Sequence, residues 1–228
     1  MDSSPIVTFV VDKELEIANY LIGLSSYKRN KESGFPQMKN DFVEKLSLLT
    51  SYDEIRSEIE KHIEKYYRQK EKLQSLVIDI NNEWQKIEKK FIEKLEKVHE
   101  RPFPYNSIRG VLSCSHRFGY NIENLWFATD MLRNKFIAID TATHELMHFM
   151  FHKYFDSVCI ENGLSKNQMW DVKEAFTILL NSEFSGFRFQ ADQGYSPHAQ
   201  LREIIQKVWQ ENHNFSETLV ATINFIKK

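Results

Sequence analysis

The amino-acid sequence predicts an α+β fold that is mostly helical and contains one small sheet of about three strands. Three observations lead to this prediction. Glycine and proline are sparse, with seven and five among 228 residues, which favours long helices over many short strands. Long stretches repeat apolar residues every three or four positions, as amphipathic helices do. A short central region is instead rich in β-branched and aromatic residues, as strands are.

The segment 53–99 carries the longest helical pattern. Its apolar positions follow each other at helical spacing and comprise Ile55, Ile59, Ile63, Tyr66, Leu73, Leu76, Val77, Ile80, Trp84, Ile87, Phe91, Leu95 and Val98. This pattern predicts either one very long helix or a helical hairpin broken near residues 69–72. Lysine and glutamate alternate along the segment, which is typical of a solvated helix face rather than of a binding patch.

Two prolines, Pro102 and Pro104, end this helical pattern. Proline lacks the amide hydrogen and biases the residue before it away from helical angles. We therefore predict a boundary between an N-terminal helical region, residues 1–101, and a second domain, residues 102–228. The sequence does not indicate the role of the first region.

Three short segments after this boundary predict the sheet. Residues 107–115, 124–129 and 135–139 are rich in β-branched and aromatic side chains. Turn-forming residues separate them, as they separate strands in a small sheet.

Charge and composition exclude several classes of protein. Lys and Arg number 30 and Asp and Glu 32, a formal charge of −2, so no overall field would draw the chain to nucleic acid or to an anionic membrane. The two cysteines, Cys114 and Cys159, show no CxxC spacing, which favours a reducing compartment. The sequence shows no basic leader and no apolar stretch of spanning length, so we expect a cytoplasmic protein. It makes no prediction of oligomeric state.

A buried helix is predicted from Asp140 or Thr141, both N-cap residue types, to about Phe155. Apolar side chains cover nearly all of its circumference, as expected of a buried helix. Its polar side chains fall on a single arc of about 100°. They are Thr141, His144, Glu145, His148 and His152. A buried stripe of imidazoles and a carboxylate needs partners, and a metal ion is the simplest single one.

Within this helix, residues 144–148 form the motif His-Glu-x-x-His. Four residues advance a helix by about 400°, so His144 and His148 lie on one face and can share one metal ion. Glu145 is about 100° round from His144 and can reach a metal-bound water as general base. Zinc suits this chemistry because it polarises a carbonyl and lowers the pKa of its water to about 7. The sequence thus predicts one zinc ion per chain.

A second helix is predicted after Ser165, because Ser165 and Gln168 have the form of a capping box. This helix is expected to run to about Phe184. From His198 onward the pattern is helical again.

A catalytic zinc needs a third protein ligand and one open position. Glu174 is the strongest candidate because it lies among apolar residues of this second helix, where an unpaired carboxylate is costly. Glu183 and Asp171 are the alternatives. His152 would have to reach past His148 along the same straight helix, so we expect a supporting or surface role for it.

The motif, followed by a glutamate in Lys173-Glu174-Ala175-Phe176, resembles the gluzincin branch of the zinc metallopeptidases. The short spacing is similar to that of its compact members, the minigluzincins. This resemblance covers roughly residues 107–200. It implies a zincin-like core, with the small sheet packed on the motif helix and on the second ligand helix. It also implies a peptide or protein as the substrate.

The same resemblance assigns roles to individual residues. It implies that His144, His148 and Glu174 bind the zinc ion and that Glu145 is the general base. An edge strand within residues 107–129 would align the substrate peptide.

Gluzincins also use a downstream tyrosine or histidine to stabilise the oxyanion. Tyr195 and His198 are suitable residue types for this role, since a loop donor can reach the developing charge. Ordinary loop and helix-capping roles are the alternative for both. Ile178 stands where thermolysin-like enzymes keep an aspartate that orients a ligand histidine, so that supporting role has no assigned residue.

Two rival readings use other parts of the chain. Cys114 lies upstream of the motif, as a cysteine ligand does in peptide deformylase, although the glycine-rich signatures of that enzyme are missing. The other alternative is a helical interaction protein that binds a partner through segment 53–99 and whose histidines belong to the core. Zinc content distinguishes this second rival, because an interaction module needs no metal.

Overall fold

A computed structural model describes residues 5–32, 40–115 and 118–227 of the chain. The described part is mostly helical with one small sheet, which confirms the predicted α+β class. The strands are β1 (Val7–Val10), β2 (Ile108–Ser113), β3 (Tyr120–Asn121) and β4 (Trp126–Asp130). The helices are α1 (Lys13–Glu32), α2 (Asp41–Ser47), α3 (Tyr52–Tyr67), α4 (Lys70–Gln85), α5 (Glu88–His99), α6 (Lys135–Tyr154), α7 (Asp156–Glu161), α8 (Lys166–Phe176), α9 (Leu179–Glu183), α10 (Ala199–Asn212) and α11 (Phe215–Ile226). Within the described ranges, no helix combines the length and apolar character that crossing a bilayer requires.

The chain divides into two compact units, each assembled from two stretches of sequence. Unit 1 spans residues 1–83 and 107–138, and unit 2 spans 84–106 and 139–228, as far as these are described. The domain boundary predicted at residue 101 stays a prediction.

The sheet of unit 1 has four strands in the order β1-β2-β4-β3, so the expected number of about three was too low. β1 and β2 pair in parallel, as do β2 and β4, whereas β3 is antiparallel to β4. At Gly110 of β2, an added Cβ would lie 2.7 Å from the Phe9 ring, so glycine permits the close approach of Phe9. β1 was missed because its four residues carry little local signal and are held by pairing with a strand about a hundred residues away.

The amide side chain of Asn81, on α4, satisfies the backbone of edge strand β1. Its Oδ1 accepts from the Phe9 amide at 2.9 Å and its Nδ2 donates to the Phe9 carbonyl at 3.0 Å. These two hydrogen bonds occupy the outward-facing backbone groups of Phe9, which would otherwise be open to another strand. Beneath the sheet, Val111, Trp126 and Ala128 form a buried core on which partly buried apolar residues of α1 pack.

The predicted strand 135–139 is wrong, because these residues form the first turns of α6. Asn134 caps this helix: its Oδ1 accepts from the amides of Phe136 and Ile137 at 3.0 and 3.3 Å. The predicted cap at Asp140 or Thr141 is wrong for the same reason. A short β-branched run does not distinguish a strand from a buried helical turn.

Segment 53–99 forms three helices, α3, α4 and α5, rather than one long helix or a simple hairpin. The first break, at residues 68–69, lies next to the predicted position. The second, at residues 86–87, was not predicted.

Unit 2 contains α5, most of α6, and α7 to α11. Its core includes the stacked rings of Phe155, Phe176 and Phe215, with centroids 4.5 Å apart between Phe155 and Phe215 and 4.7 Å apart between Phe176 and Phe215. The capping box of Ser165 and Gln168 at the start of α8 is confirmed. α8 ends at Phe176 rather than near Phe184, and α9 follows after a short break. Helical structure after His198 is confirmed as α10 and α11.

Candidate metal centre

Two histidines of α6 and one glutamate of α8 converge in unit 2. The imidazole rings of His144 and His148 lie with their centroids 4.5 Å apart. The Glu174 carboxylate faces both rings. Its Oε2 lies 3.7 Å from His144 Nε2, and its Oε1 lies 3.4 Å from His148 Nε2. The fold therefore brings together the three side chains that the sequence predicts as metal ligands.

The two alternative ligands on α8 and α9 bind other partners. Glu183 accepts hydrogen bonds from Lys94 Nζ at 2.7 Å and from Trp209 Nε1 at 2.8 Å. Asp171 Oδ1 accepts one from His198 Nε2 at 3.0 Å. Neither residue belongs to the metal-type cluster found among the described residues. The geometry therefore favours the first candidate over both.

His152 and Cys114 also lie outside this cluster as far as the chain is described. His152 Nδ1 lies 2.7 Å from Asp156 Oδ2, in a partly exposed pair at the end of α6. The Cys114 thiol belongs to unit 1, where it donates to Glu16 Oε1 at 3.0 Å. No geometric observation thus supports Cys114 as the third ligand.

Asp192 is a residue of the site that the sequence did not indicate. Its Oδ2 lies 2.8 Å from His144 Nδ1, which fixes the ring so that Nε2 faces the cluster. Its Oδ1 accepts from Arg202 Nη1 at 2.9 Å, and its backbone is bonded on both sides by the Asn181 amide. An outer carboxylate of this kind orients a ligand histidine and raises its basicity. Asp192 thus supplies a carboxylate that orients the His144 ring, which Ile178 cannot do.

A second network holds the segment that carries Asp192 against α6. Asp140 accepts from the backbone amides of Phe189 and Gln190 at 2.9 and 3.0 Å. Arg188 Nη1 donates to the Asp140 carbonyl at 2.9 Å. Asp140 therefore anchors a loop rather than capping the helix. Asp192 lies in a loop, where no helical or strand periodicity applies, so residue spacing could not indicate its contact with His144. The contact of Asp140 with this loop could not be indicated either, because it depends on how the loop folds back on α6.

Lys173 is the second unforeseen residue of the site. Only 2% of it is exposed, and its Nζ donates to Glu174 Oε1 at 2.7 Å. Lysine is almost never fully buried unless it is paired. The sequence contained a signal for its burial, because Lys173 adjoins Glu174 on a helix rich in apolar residues.

Burial and neighbouring charges set the protonation of the cluster without an ion. Burial lowers the pKa of His148 to about 3, and the charge of Lys173 acts in the same direction, so its ring is neutral. Burial also lowers the pKa of His144, but hydrogen bonds with Asp192 and Glu174 outweigh it and hold that pKa above its usual range. Burial raises the pKa of Glu174, but the imidazoles and the Lys173 ammonium outweigh it and the pKa is strongly lowered. Glu174 is therefore an ionised carboxylate.

Glu145 lies on α6 between the two histidines in sequence and is 6% exposed. Its Oε2 has no hydrogen-bond partner among the described residues. Burial raises its pKa to about 7, although His144 and Lys173 act to lower it. A carboxylate with a pKa near neutrality can exchange a proton at physiological pH.

Tyr195 and His198 lie near the start of α10 but differ in whether a polar atom of the side chain is accessible to a substrate. Tyr195 is 53% exposed. Partial burial and the negative charges of Glu174 and Glu145 raise its pKa to about 12. His198 is buried, and its Nε2 is engaged by Asp171. The exposed phenol is the group with a donor available to a substrate.

The three convergent side chains are of types that bind zinc. Two imidazole nitrogens and one carboxylate oxygen form a common ligand set of catalytic zinc. One ligand atom from each residue lies within 4.8 Å of the other two. The closest approaches of Glu174, 3.4 Å to His148 and 3.7 Å to His144, are made by its two different oxygens. The donor set therefore fits a metal ion such as zinc in type.

Comparisons of the chain with protein-family models, with curated proteins and with solved structures found no match.

Proposed function

We propose that the protein is a zinc metallopeptidase of gluzincin type that hydrolyses peptide bonds in a peptide or protein substrate. One observation carries the proposal: His144, His148 and Glu174 each bring a ligand atom within 4.8 Å of the others, while Glu145 follows His144 on α6. A helical interaction protein would not need two imidazoles, a charged carboxylate and a buried lysine gathered in this way.

His144, His148 and Glu174 would hold one zinc ion per chain. The ion would polarise the substrate carbonyl and lower the pKa of a water to about 7. Asp192 keeps the proton of His144 on Nδ1, so that Nε2 offers its lone pair. Lys173 holds Oε1 of Glu174 by a charged hydrogen bond and so limits the rotation of that carboxylate.

Glu145 is the proposed general base. Its position one residue after His144 turns its carboxylate about 100° away from the ligand direction, toward the place of an attacking water. In the proposed reaction Glu145 takes the proton of that water and later gives it to the departing amine.

Tyr195 is the proposed oxyanion donor. Its raised pKa keeps the phenol protonated at neutral pH, so its O–H can donate to the negative oxygen that develops on the substrate carbonyl. His198 has its Nε2–H engaged by Asp171. We therefore give His198 a positioning role beside Tyr195, with their ring centroids 5.6 Å apart.

We also propose a cytoplasmic location without nucleic-acid or membrane partners. Cys114 and Cys159 are both free and buried. Unpaired thiols are typical of reducing compartments. The formal charge of −2 gives no overall attraction to polyanions.

The proposal is tested by measuring zinc content and peptide cleavage in wild type, His148→Ala and Glu145→Gln. We expect about one zinc per chain in wild type and in Glu145→Gln, since Glu145 is not a ligand. Cleavage by Glu145→Gln should fall by about 10²–10⁴-fold, the usual contribution of a general base. His148→Ala should lose both zinc and activity.

Glu183→Gln is the matched control, because Glu183 belongs to the same unit but pairs with Lys94 and Trp209. It should keep zinc and activity. Equal zinc content in wild type and His148→Ala would contradict the metal site. Full cleavage by Glu145→Gln would contradict the assigned base.

A further inference from the structure

A pocket of about 430 Å³ opens in unit 2. Its apolar walls come from Pro197, Leu201, Phe225 and Ile226. Asp171 and His198 also line it, and among the described lining residues there is no lysine or arginine. The volume lies at the lower end of the range of about 300–1,000 Å³ for ligand pockets.

The pocket lies close to the metal ligands along α8. Asp171 precedes Glu174 by three residues, and residues at this spacing have Cβ atoms about 5–6 Å apart on one helix face. At its rim, the His198 ring lies edge-on to Trp170 with centroids 5.2 Å apart. The Tyr195 ring lies with its centroid 5.7 Å from that of Trp170. Trp170, Tyr195 and His198 therefore form an aromatic cluster beside Asp171.

Asp171 is the acidic side chain of the pocket lining. One of its oxygens, Oδ1, accepts from His198 Nε2 at 3.0 Å. The side chain of Asp171 is 35% exposed, whereas that of His198 is only 3% exposed. The carboxylate is therefore accessible to a group that enters the pocket, whereas the imidazole is not.

We propose that this pocket is the subsite for a lysine or arginine side chain of the substrate, near the cleaved bond. The aliphatic stem would pack on Leu201, Phe225 and Ile226, while the cation would pair with Asp171. Long basic side chains bury their stems on apolar surface and keep the charged end at a polar group in this way. This subsite rests on the proposed peptidase function.

An uncharged side chain of equal length would fit the walls but not the carboxylate. Such a side chain would displace water from the Asp171 carboxylate without offering it a hydrogen bond or a positive charge in return. Sites built around a polar partner discriminate strongly against analogues that lack it, because the polar group is left unpaired. The subsite should therefore distinguish lysine from norleucine, which has the same stem without the amine.

The test measures binding and cleavage separately. Blocked octapeptides with lysine, arginine, norleucine or glutamate at one position in an alanine and glycine host are titrated by calorimetry into zinc-loaded Glu145→Gln. We expect the lysine and arginine peptides to bind at least about 10-fold more tightly than the norleucine peptide, by the energy of one charge-assisted hydrogen bond. Asp171→Asn in the same background should remove this preference.

A lost preference in Asp171→Asn could also come from misfolding, and Asp171→Lys separates the two causes. This variant should bind the glutamate peptide more tightly than the lysine peptide, which a misfolded protein would not do. Glu203→Gln is the control, since Glu203 is an exposed carboxylate on α10 outside the pocket lining. It should bind as the Glu145→Gln parent does.

Equal affinities for the lysine and norleucine peptides, or a preference that survives in Asp171→Asn, would overturn the subsite. Cleavage of all peptides by wild type without a lysine preference would reject the subsite and leave the peptidase proposal standing. A lysine preference in binding, with no cleavage by zinc-loaded wild type, would retain the pocket as a binding site and reject the peptidase proposal.

Discussion

Unit 1 buries Glu16 and unit 2 buries Glu174, and the neighbours of these two glutamates differ in charge. Glu16 of unit 1 is fully buried, and its Oε1 accepts from the Cys114 amide at 2.8 Å and from the Cys114 thiol at 3.0 Å. Burial raises its pKa, and these neutral donors only partly offset the effect. Glu174 of unit 2 faces imidazoles and an ammonium, and its pKa is strongly lowered.

The difference lies in what surrounds each carboxyl group. A buried carboxylate is costly unless a charge compensates it. Glu16 has neutral donors, which only partly offset the rise of its pKa by burial, and it ties α1 to β2. Glu174 is favoured in its ionised form, because the Lys173 ammonium and hydrogen bonds with the imidazoles stabilise its charge. Burial alone therefore does not identify a candidate metal ligand, since Glu145 is also buried and its pKa is raised to about 7.

The largest expected effect is on zinc affinity, measured for the same substitution in both units. Glu174→Gln should weaken zinc binding by more than about 100-fold, since even residues outside the ligand set contribute about 10–100-fold. Glu16→Gln should leave the affinity unchanged. Competition with a fluorescent chelator measures both. Equal affinities in the two variants would remove the distinction between the two carboxyl groups.

The next effect concerns the cation that compensates Glu174. Without zinc, Lys173→Met leaves a buried carboxylate without its ammonium partner and should reduce the unfolding free energy by about 3–5 kcal/mol. With saturating zinc the loss should be smaller, because the ion compensates the same carboxylate. Urea unfolding with chelator and with zinc gives the two values.

Lys94→Met is the matched control for this measurement. Lys94 also binds a glutamate, Glu183, at 2.7 Å, but 33% of its side chain is exposed. A partly solvated pair contributes about 0–1 kcal/mol, and zinc should not alter that contribution. An equal loss for Lys173→Met with and without zinc would show that Lys173 does not share the charge of Glu174 with the ion.

The smallest effect is a pH dependence in unit 1. The folded protein holds the Glu16 proton more tightly than the unfolded chain, whose carboxyl has its ordinary pKa of 4.5. Raising the pH above 4.5 deprotonates the unfolded chain first, so the contribution of Glu16 to stability declines as the pH rises toward the folded pKa. Each unit of pKa difference corresponds to about 1.4 kcal/mol.

This dependence is measured by comparing wild type with Glu16→Gln in chelator between pH 4.5 and 8. Glutamine cannot titrate, so the difference in unfolding free energy between the two proteins should shift in favour of the variant with rising pH. Parallel curves would show that Glu16 has the same pKa in the folded and unfolded states.

Local patterns predicted much of unit 2. The HExxH spacing placed two imidazoles on one face of α6, and the apolar residues around Glu174 singled out that carboxylate. Both inferences depend only on the geometry of single helices, which follows from backbone hydrogen bonds four residues apart. The capping box of Ser165 and Gln168 was found for the same reason.

Local patterns failed where contacts are distant in sequence. Strand β1 exists through its pairing with β2. Alternation of residue types does not encode such partners. The break between α8 and α9 was missed in the same way.

By itself, therefore, the sequence determined that His144 and His148 can share one metal ion, because one helical turn places them on the same face, whereas it left the third ligand open. Only the tertiary structure decided what completes it. Asp192 reaches His144 from a loop, and Lys173 turns toward Glu174 within the core. These contacts depend on how separate segments pack, and the compensation of a buried charge is a property of that packing rather than of residue order.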